Sequence, residues 1–121
     1  MSQAAAVGAA MEYDFATKAF EGISGRYRKN GEFFHEKEIY QLQGPDGPRG
    51  MFMYFFSHGG ASHEGWWIGP EVGGLEVFAH NKKKHNVPPV IGWHVPFDAP
   101  EFDRGTRCDK VRRVQRSKDK R

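Results

Sequence analysis

The sequence predicts an all-β fold, a single small antiparallel meander or barrel-like sheet of about six strands. Fifteen glycines and seven prolines in 121 residues place turns too often for long helices. Aromatic residues make up 14% of the chain, and rings favour strands. The connections between apolar stretches are also too short for the helical crossovers that parallel pairing needs. An antiparallel sheet is the architecture that satisfies all three observations.

Six stretches carry the strand pattern: 22–28, 32–43, 51–57, 65–69, 75–80 and 90–97. An Asn-Gly pair, Asn30 and Gly31, predicts the hairpin turn between the first two strands. The segment 44–50 holds two prolines and three glycines and predicts the next turn. The third strand is apolar on both faces, so we expect it to be central and covered on both sides.

The chain divides into three parts: a flexible N-terminal arm (1–20), an aromatic-rich β-domain (21–98) and a basic C-terminal tail (99–121). Within residues 11–22, Tyr13, Phe15 and Phe20 predict either a short helix or an extended arm with aromatic anchors. Val111 and Val114 have helical spacing, but their charged surroundings predict a tail helix that is weak by itself.

The net charge of +3 is unevenly distributed along the chain. The last fifteen residues carry eight Lys or Arg and two acids, which leaves ten basic and thirteen acidic residues in the remainder. The basic pI therefore belongs to the tail. Such a split indicates either a polyanionic or acidic partner or a solvated tail that aids solubility. The basic contacts that we predict are Lys82, Lys83, Lys84, Arg107, Lys110, Arg112, Arg113, Arg116, Lys118, Lys120 and Arg121.

A single cysteine, Cys108, excludes an internal disulfide and a Cys-based zinc site. No apolar run approaches the ~18 residues of a membrane span. The N-terminal ten residues lack the basic region of a signal peptide and the arginines of a mitochondrial presequence. These features predict the cytoplasm or nucleus, with an organelle as the alternative if the N-terminus is processed.

Two adjacent tryptophans, Trp66 and Trp67, must point to opposite faces of a regular strand. Trp66 shares a face with Ile68, which predicts that Trp66 is the core residue. Trp67 then faces outward, with Phe78 and Tyr54 as predicted neighbours on a partner-contact face. The alternative is that the N-terminal arm covers Trp67. Trp93 has a core neighbour in Val95 and is expected to pack on Trp66.

Five aromatic-rich segments follow one another along the chain: "GRYRKNGEFFHEKE", "MFMYFF", "GWWIGPEVGG", "VFAH" and "VPPVIGWHV". Their order is the basis of a resemblance to a known type of domain. The chain resembles a small aromatic-rich β-domain found, often in tandem, in proteins of unicellular algae and other protists. The resemblance covers residues 22–96 and rests on aromatic residues and turn residues. It implies a binding or scaffolding role with no established catalytic activity.

Six histidines raise the question of a metal site. The two loop pairs would meet if their loops share one end of the sheet, so the weak candidates for ligands are His58, His63, His80 and His85. The chain lacks His-Glu-x-x-His, a phosphate-binding loop and any recognisable catalytic spacing. We therefore predict no cofactor, no metal and no enzymatic activity, with a small metal-dependent hydrolase as the alternative.

These observations favour a non-catalytic interaction or assembly module. It would dock onto a larger protein or ribonucleoprotein assembly through its termini and an aromatic face. The main alternative is binding of RNA or another polyanion through the basic tail and the Lys82–Lys84 loop.

Overall fold

The computed structural model describes residues 11–58 and 63–111, and they form one antiparallel sheet of eight strands. The strands are β1 (Glu12–Ala16), β2 (Gly25–Phe34), β3 (Lys37–Gly44), β4 (Gly47–Phe56), β5 (Gly65–Gly69), β6 (Ala79–Asn81), β7 (Trp93–His94) and β8 (Arg107–Lys110). Their order in the sheet is β7-β6-β5-β4-β3-β2-β1-β8. A 3₁₀ turn, Glu21–Ile23, is the helical element of this part of the chain. The predicted all-β antiparallel fold is confirmed.

The sheet is curled until it nearly closes into a barrel. Its two edge strands, β7 and β8, approach each other through backbone hydrogen bonds in and just before them. The amide of Cys108 donates to the carbonyl of Val90 at 2.9 Å, and the amide of Asp103 donates to the carbonyl of Trp93 at 2.8 Å. Because these bonds pair groups at the sheet edges, the curled form leaves fewer edge groups without a partner.

A polar network reinforces this closure at the end of the barrel. Thr106 is fully buried, and its hydroxyl hydrogen-bonds the carboxylate of Asp103 and lies 2.7 Å from the Thr17 hydroxyl. The Thr17 amide in turn donates to the hydroxyl of Ser24 at 3.1 Å. The connection before β8 is thereby tied to the connection between β1 and β2.

Aromatic rings fill the interior of the barrel. The register aligns Tyr13, Tyr27 and Leu42 across β1–β3, and it aligns inward residues across the strands from β4 to β7 in the same way. Phe15 and Trp93 meet edge to face with centroids 5.0 Å apart, which joins the first strand to the seventh. The buried inward-facing residues are Tyr13, Phe15, Tyr27, Tyr40, Leu42, Met53, Phe55, Trp66, Ile68, Ala79, Trp93 and Cys108. Since long aliphatic residues are few, rings supply most of the apolar area that stabilises the fold.

The sheet has eight strands rather than the six that the sequence predicts. The additional strands are β1 and β8, which lie in the predicted arm and the predicted tail. Tyr13 and Phe15 point into the barrel, so residues 12–16 form neither a helix nor a separate arm. Both strands are short and alternate buried with polar residues, and pairing with each other and with β2 is what makes them strands.

The hairpin turn between β2 and β3 also differs from the prediction. Phe34 pairs with Lys37, so the turn residues are His35 and Glu36, with φ of 49° and 70°. The Asn30-Gly31 pair instead forms a bulge within β2, where the Asn30 side-chain oxygen accepts the Glu32 amide at 2.9 Å. Gly31 has a φ of 88°, and a glycine with positive φ suits a bulge as well as a turn, so the Asn-Gly pattern is compatible with both. The predicted turn within 44–50 is confirmed between Gly44 and Gly47.

Two predicted strands are shorter than expected. The stretch 75–80 is a strand only from Ala79, and 90–97 only at Trp93 and His94. Prolines flank the second of these on both sides, at positions 88, 89 and 96, and remove backbone donors from the ladder. Trp93 is fully buried as predicted, but its ring packs on Phe15 instead of Trp66.

Replacing Phe15 with Ala should lower the free energy of unfolding by about 3–5 kcal/mol, because it leaves a cavity beside Trp93 where the barrel closes. Urea unfolding followed by tryptophan fluorescence measures the change. Phe15→Leu, a smaller change at the same site, should show a smaller loss. The control is Phe33→Ala, which removes a ring that is 64% exposed and should change stability by no more than about 0.5 kcal/mol. Equal losses at Phe15 and Phe33 would contradict a role of Phe15 in closing the barrel.

Replacing Glu36 with Gly should raise the free energy of unfolding by about 0.5–1 kcal/mol. A side chain in the left-handed region costs roughly 1–2 kcal/mol, and the greater chain entropy of glycine offsets part of that gain. Chemical denaturation measures the change. Asp46→Gly, in the turn whose non-glycine residues have negative φ, is the matched control and should not stabilise the protein.

Candidate functional site

Four side chains form a row on the outer face of the sheet, across β4, β5, β6 and β7. The register pairs Tyr54 with Trp67, Trp67 with His80, and His80 with His94. Directly paired residues in an antiparallel sheet project from the same face, so these four side chains are neighbours. This row lies on the opposite face from Trp66 and Trp93, as the period of two requires.

The row forms the floor of a cavity of about 680 Å³. Two connections enclose it: the segment 73–77 between β5 and β6, and the segment 97–100 after β7. Glycines flank Trp66 and Trp67 because neighbouring backbone passes close by. A Cβ at Gly69 would lie 2.6 Å from the Glu76 carbonyl oxygen, and one at Gly65 would overlap the Asn81 carbonyl. The cavity has the size of a typical ligand or side-chain pocket.

Trp67 is partly exposed at this cavity, and its ring is held in place on two sides. It stacks on the imidazole of His80 with centroids 3.7 Å apart and planes 13° apart. Its indole N–H donates to the carbonyl of His63 at 2.9 Å. Phe97 lies at a tilt, 6.1 Å away. The N-terminal strand does not cover Trp67, since Tyr13 and Phe15 point into the barrel.

Two buried histidines, His80 and His94, lie beside each other on the cavity floor. Each uses one ring nitrogen to bond a loop carbonyl: His80 Nε2 lies 2.9 Å from the Glu64 oxygen, and His94 Nδ1 lies 2.8 Å from the Ala99 oxygen. Burial lowers the pKa of His80, and nearby His94, Lys82 and His63 lower it further, against a raising effect of the Glu64 carbonyl. His80 is thus kept neutral more readily than a free histidine.

A second histidine cluster adjoins the cavity at the tip of the β2–β3 hairpin. His35 stacks on both Phe34 and Phe56, at centroid distances of 4.2 and 4.7 Å, and Phe56 also lines the cavity. The ring accepts the amide proton of Ser57 through Nδ1 at 2.9 Å. Burial and the neighbouring His58 both lower the pKa of His35. Protonation of Nδ1 would break this hydrogen bond, so the structure favours the neutral ring.

The structure brings together two of the three residues predicted for the contact face. Trp67 and Tyr54 are paired at the cavity, but Tyr54 is buried there, so Trp67 is the partly exposed member of the pair. Phe78 lies elsewhere: it packs against the core cluster and meets Phe20 at a centroid distance of 4.9 Å. The prediction placed Phe78 next to Trp67 because it extended the fifth predicted strand back to residue 75.

The predicted basic contacts are separated in the structure. Lys82, Lys83 and Lys84 are exposed after β6, where Lys84 pairs with Glu64 at 2.7 Å. Arg107 and Lys110 are exposed on β8, and Arg107 pairs with Asp109 at 2.8 Å. The remaining predicted contacts lie outside the described residues: Arg112, Arg113, Arg116, Lys118, Lys120 and Arg121.

The four histidines that were the weak metal candidates do not converge. His63 and His80 both line the cavity, whereas His58 lies against His35 at 4.7 Å. His85 offers its backbone carbonyl to the indole of Trp66 at 3.0 Å. Within residues 11–58 and 63–111, no group of three or more His, Cys, Asp or Glu side chains has the arrangement to hold a metal ion.

Sequence reasoning missed two important members of the site, His94 and Phe97. The alternation in "GWHV" does place His94 on the face opposite Trp93, which is the one signal that could have found it. Its position beside His80 depends on the pairing of β6 with β7, which are only three and two residues long and are joined by the irregular segment 82–92.

No family model matches the chain, and neither a curated protein nor a solved structure matches it. The resemblance to the aromatic-rich β-domain of algae and protists therefore stays a prediction. In the part of the chain that the structure describes, no helix has the length and apolarity needed to cross a bilayer.

Lowering the pH from about 7.5 to about 5.5 should reduce the free energy of unfolding. His35 and His80 have folded-state pKa values below the ordinary value near 6.5, so the unfolded chain takes up protons more readily. The stability that they contribute is complete above the ordinary pKa and is lost as the pH falls through their folded-state values. Urea midpoints at the two pH values measure this loss.

His80→Gln is the matched variant for this measurement, since glutamine retains a donor for the Glu64 carbonyl but does not titrate. Its midpoint should change less between the two pH values than that of the wild type. A change as large as that of the wild type would show that His80 does not contribute to the pH dependence.

Proposed function

We propose that this protein is a non-catalytic binding module that docks onto a protein partner within a larger assembly, and that the cavity at Trp67 is its contact site. The observation that carries the proposal is a partly exposed tryptophan held rigid at a cavity of about 680 Å³. Tryptophan is the residue type most enriched among those that dominate protein–protein binding energy.

The fixed position of Trp67 supports this proposal energetically. A mobile side chain loses rotamer freedom when it is buried in an interface, and that loss weakens binding. Here the stack on His80 and the hydrogen bond to the His63 carbonyl already hold the ring in one orientation. Both contacts originate from paired strands or their immediate ends, so the contact site is organised before a partner arrives.

The filled interior also supports a binding site on the outer face. The inward rings of Trp66, Trp93 and Tyr27 are fully buried, and they occupy the space that a ligand inside the barrel would need. The cavity, by contrast, lies on the outer face of β4–β7 and is bordered by Leu75, which is completely exposed. Exposed apolar residues around a concave site are typical of interaction surfaces.

The two ends of the described chain provide the second part of the proposal. Tyr13 on β1 pairs with Lys110 on β8, so the residues before β1 and after β8 are attached at neighbouring points of the sheet. Docking through both termini, as the sequence predicts, would then engage one region of the partner. The basic residues of 107–121 suit an acidic surface there.

Comparative capture tests this proposal. Tagged full-length wild type, Trp67→Ala and Phe33→Ala are each used to capture proteins from the native source, with and without added nuclease, and the captured proteins are quantified by mass spectrometry. At least one protein should be retained by the wild type and the exposed-ring control and be depleted more than about tenfold with Trp67→Ala, since loss of a dominant tryptophan costs at least about 2 kcal/mol. The identified protein should then bind the purified wild type directly.

Two outcomes would contradict the proposal. Identical protein sets for all three baits would show that Trp67 is not the contact site. Loss of every captured protein on nuclease treatment would instead support the alternative, RNA or another nucleic acid bound by the basic segments.

A further inference from the structure

Four basic side chains converge on the cavity from three separate segments. His63 precedes β5, His80 and Lys82 lie in and after β6, and His94 lies in β7. Asp98 is the carboxylate among the lining residues. The cavity therefore combines aromatic lining residues with more basic than acidic groups, and these basic groups are, or can become, positively charged.

The Lys82–Lys84 loop is held beside this cavity by Asn81, a fully buried polar residue. The Asn81 side chain donates to the Ile91 carbonyl at 3.0 Å and accepts the Lys83 amide at 3.1 Å. Lys84 forms an ion pair with Glu64 at 2.7 Å. This pair also neutralises Glu64, the acid just before β5. Lys82 is exposed at the cavity and takes part in none of the ion pairs among the described residues.

The remaining lining is apolar. Phe97 and Val77 face the cavity next to Trp67, and Leu75 is wholly exposed at its border. An occupant that leaves these surfaces exposed to water would gain little binding free energy. An apolar side chain placed against Trp67 would bury apolar area on both molecules. The cavity thus suits an occupant that carries both an apolar group and a negative charge.

We infer that the cavity binds an acidic peptide segment of the protein partner, with an apolar side chain against Trp67 and a carboxylate facing Lys82. This inference rests on the proposed function and adds the chemistry of the partner. The complementarity lies in charge as well as in apolar contact, because a carboxylate near Lys82 meets a cation that forms no ion pair with the acids of residues 11–58 and 63–111.

The same arrangement makes binding sensitive to pH. The groups that face His80 are His63, Lys82 and His94, and Asp98 is the acid that lines the same cavity. The three basic neighbours oppose protonation of His80, and a bound carboxylate would offset that repulsion. Binding therefore takes up protons, and affinity rises as the pH falls from about 7.5 towards 6.

Three capped tripeptides test the inference: acetyl-Asp-Phe-Asp-amide, acetyl-Asn-Phe-Asn-amide and acetyl-Lys-Phe-Lys-amide. They are titrated into the ¹⁵N-labelled full-length protein at low salt, and the indole N–H resonances are followed. The Trp67 resonance should move while those of buried Trp66 and Trp93 remain, which gives an internal control. The acidic peptide should bind about threefold or more tightly than the amide peptide, and the amide peptide more tightly than the basic one. High salt should reduce both differences.

Lys82→Gln and Lys83→Gln form the matched pair of variants. Both remove one exposed positive charge from the same loop, but only Lys82 lines the cavity. Lys82→Gln should abolish most of the preference for the acidic over the amide peptide, and Lys83→Gln should retain it. Trp67→Ala should weaken binding of all three peptides.

Equal binding of the acidic and amide peptides, or no shift of the Trp67 resonance at millimolar peptide, would overturn the inference. So would binding of free 3-phenylpropanoate without binding of the acidic peptide, which would indicate a small-molecule acid as the occupant. If these results coincide with selective loss of a captured protein in Trp67→Ala, the proposed function stands and only the acidic character of the partner is rejected. If Trp67→Ala captures the same proteins as the wild type, the proposed function itself is rejected.

Discussion

The edge-to-face contact between Phe15 and Trp93 is the interaction on which the rest of the structure depends. It joins strands that lie near opposite ends of the sheet, and the Cys108–Val90 hydrogen bond accompanies it. In a flat sheet of these short strands, the apolar inner face would remain partly exposed to water. Curling the sheet surrounds each ring with others, so a chain poor in long aliphatic residues still obtains a closed apolar interior.

Closure of the barrel also determines where binding can occur. Because rings fill the interior, the outer face of β4–β7 is the face that carries an open cavity, and the connections that shorten β6 and β7 provide its walls. The same irregular segments that weaken the sheet thus form the candidate site. The Ala99 carbonyl, after β7, bonds His94. The carbonyls of His63 and Glu64, just before β5, bond the Trp67 indole and His80, so the site is held by hydrogen bonds to irregular backbone as well as by the strands.

Much of the strand pattern was readable, and the errors have definite physical origins. Alternation located the inner and outer faces of Trp66 and Trp67, since the period of two is a local property. The Asn30-Gly31 pair misled because a glycine with positive φ, such as Gly31, serves a bulge as well as a hairpin turn. Strands β1 and β8 were missed because their partners are each other and β2, and no local pattern distinguishes a short strand from a polar arm before that pairing forms.

By itself, the sequence determined the fold class, the burial of Trp66 and the outward direction of Trp67, because composition and alternation act residue by residue. Only the tertiary structure decided what surrounds Trp67. His80 meets it through the pairing of β5 with β6, and His94 continues the row through the pairing of β6 with β7. Phe97 and Lys82 line the same cavity from connections whose path no local rule specifies. The neighbours of an outward side chain depend on strand register and loop course. These are set by the packing of the whole barrel, to which residues distant in the chain contribute together.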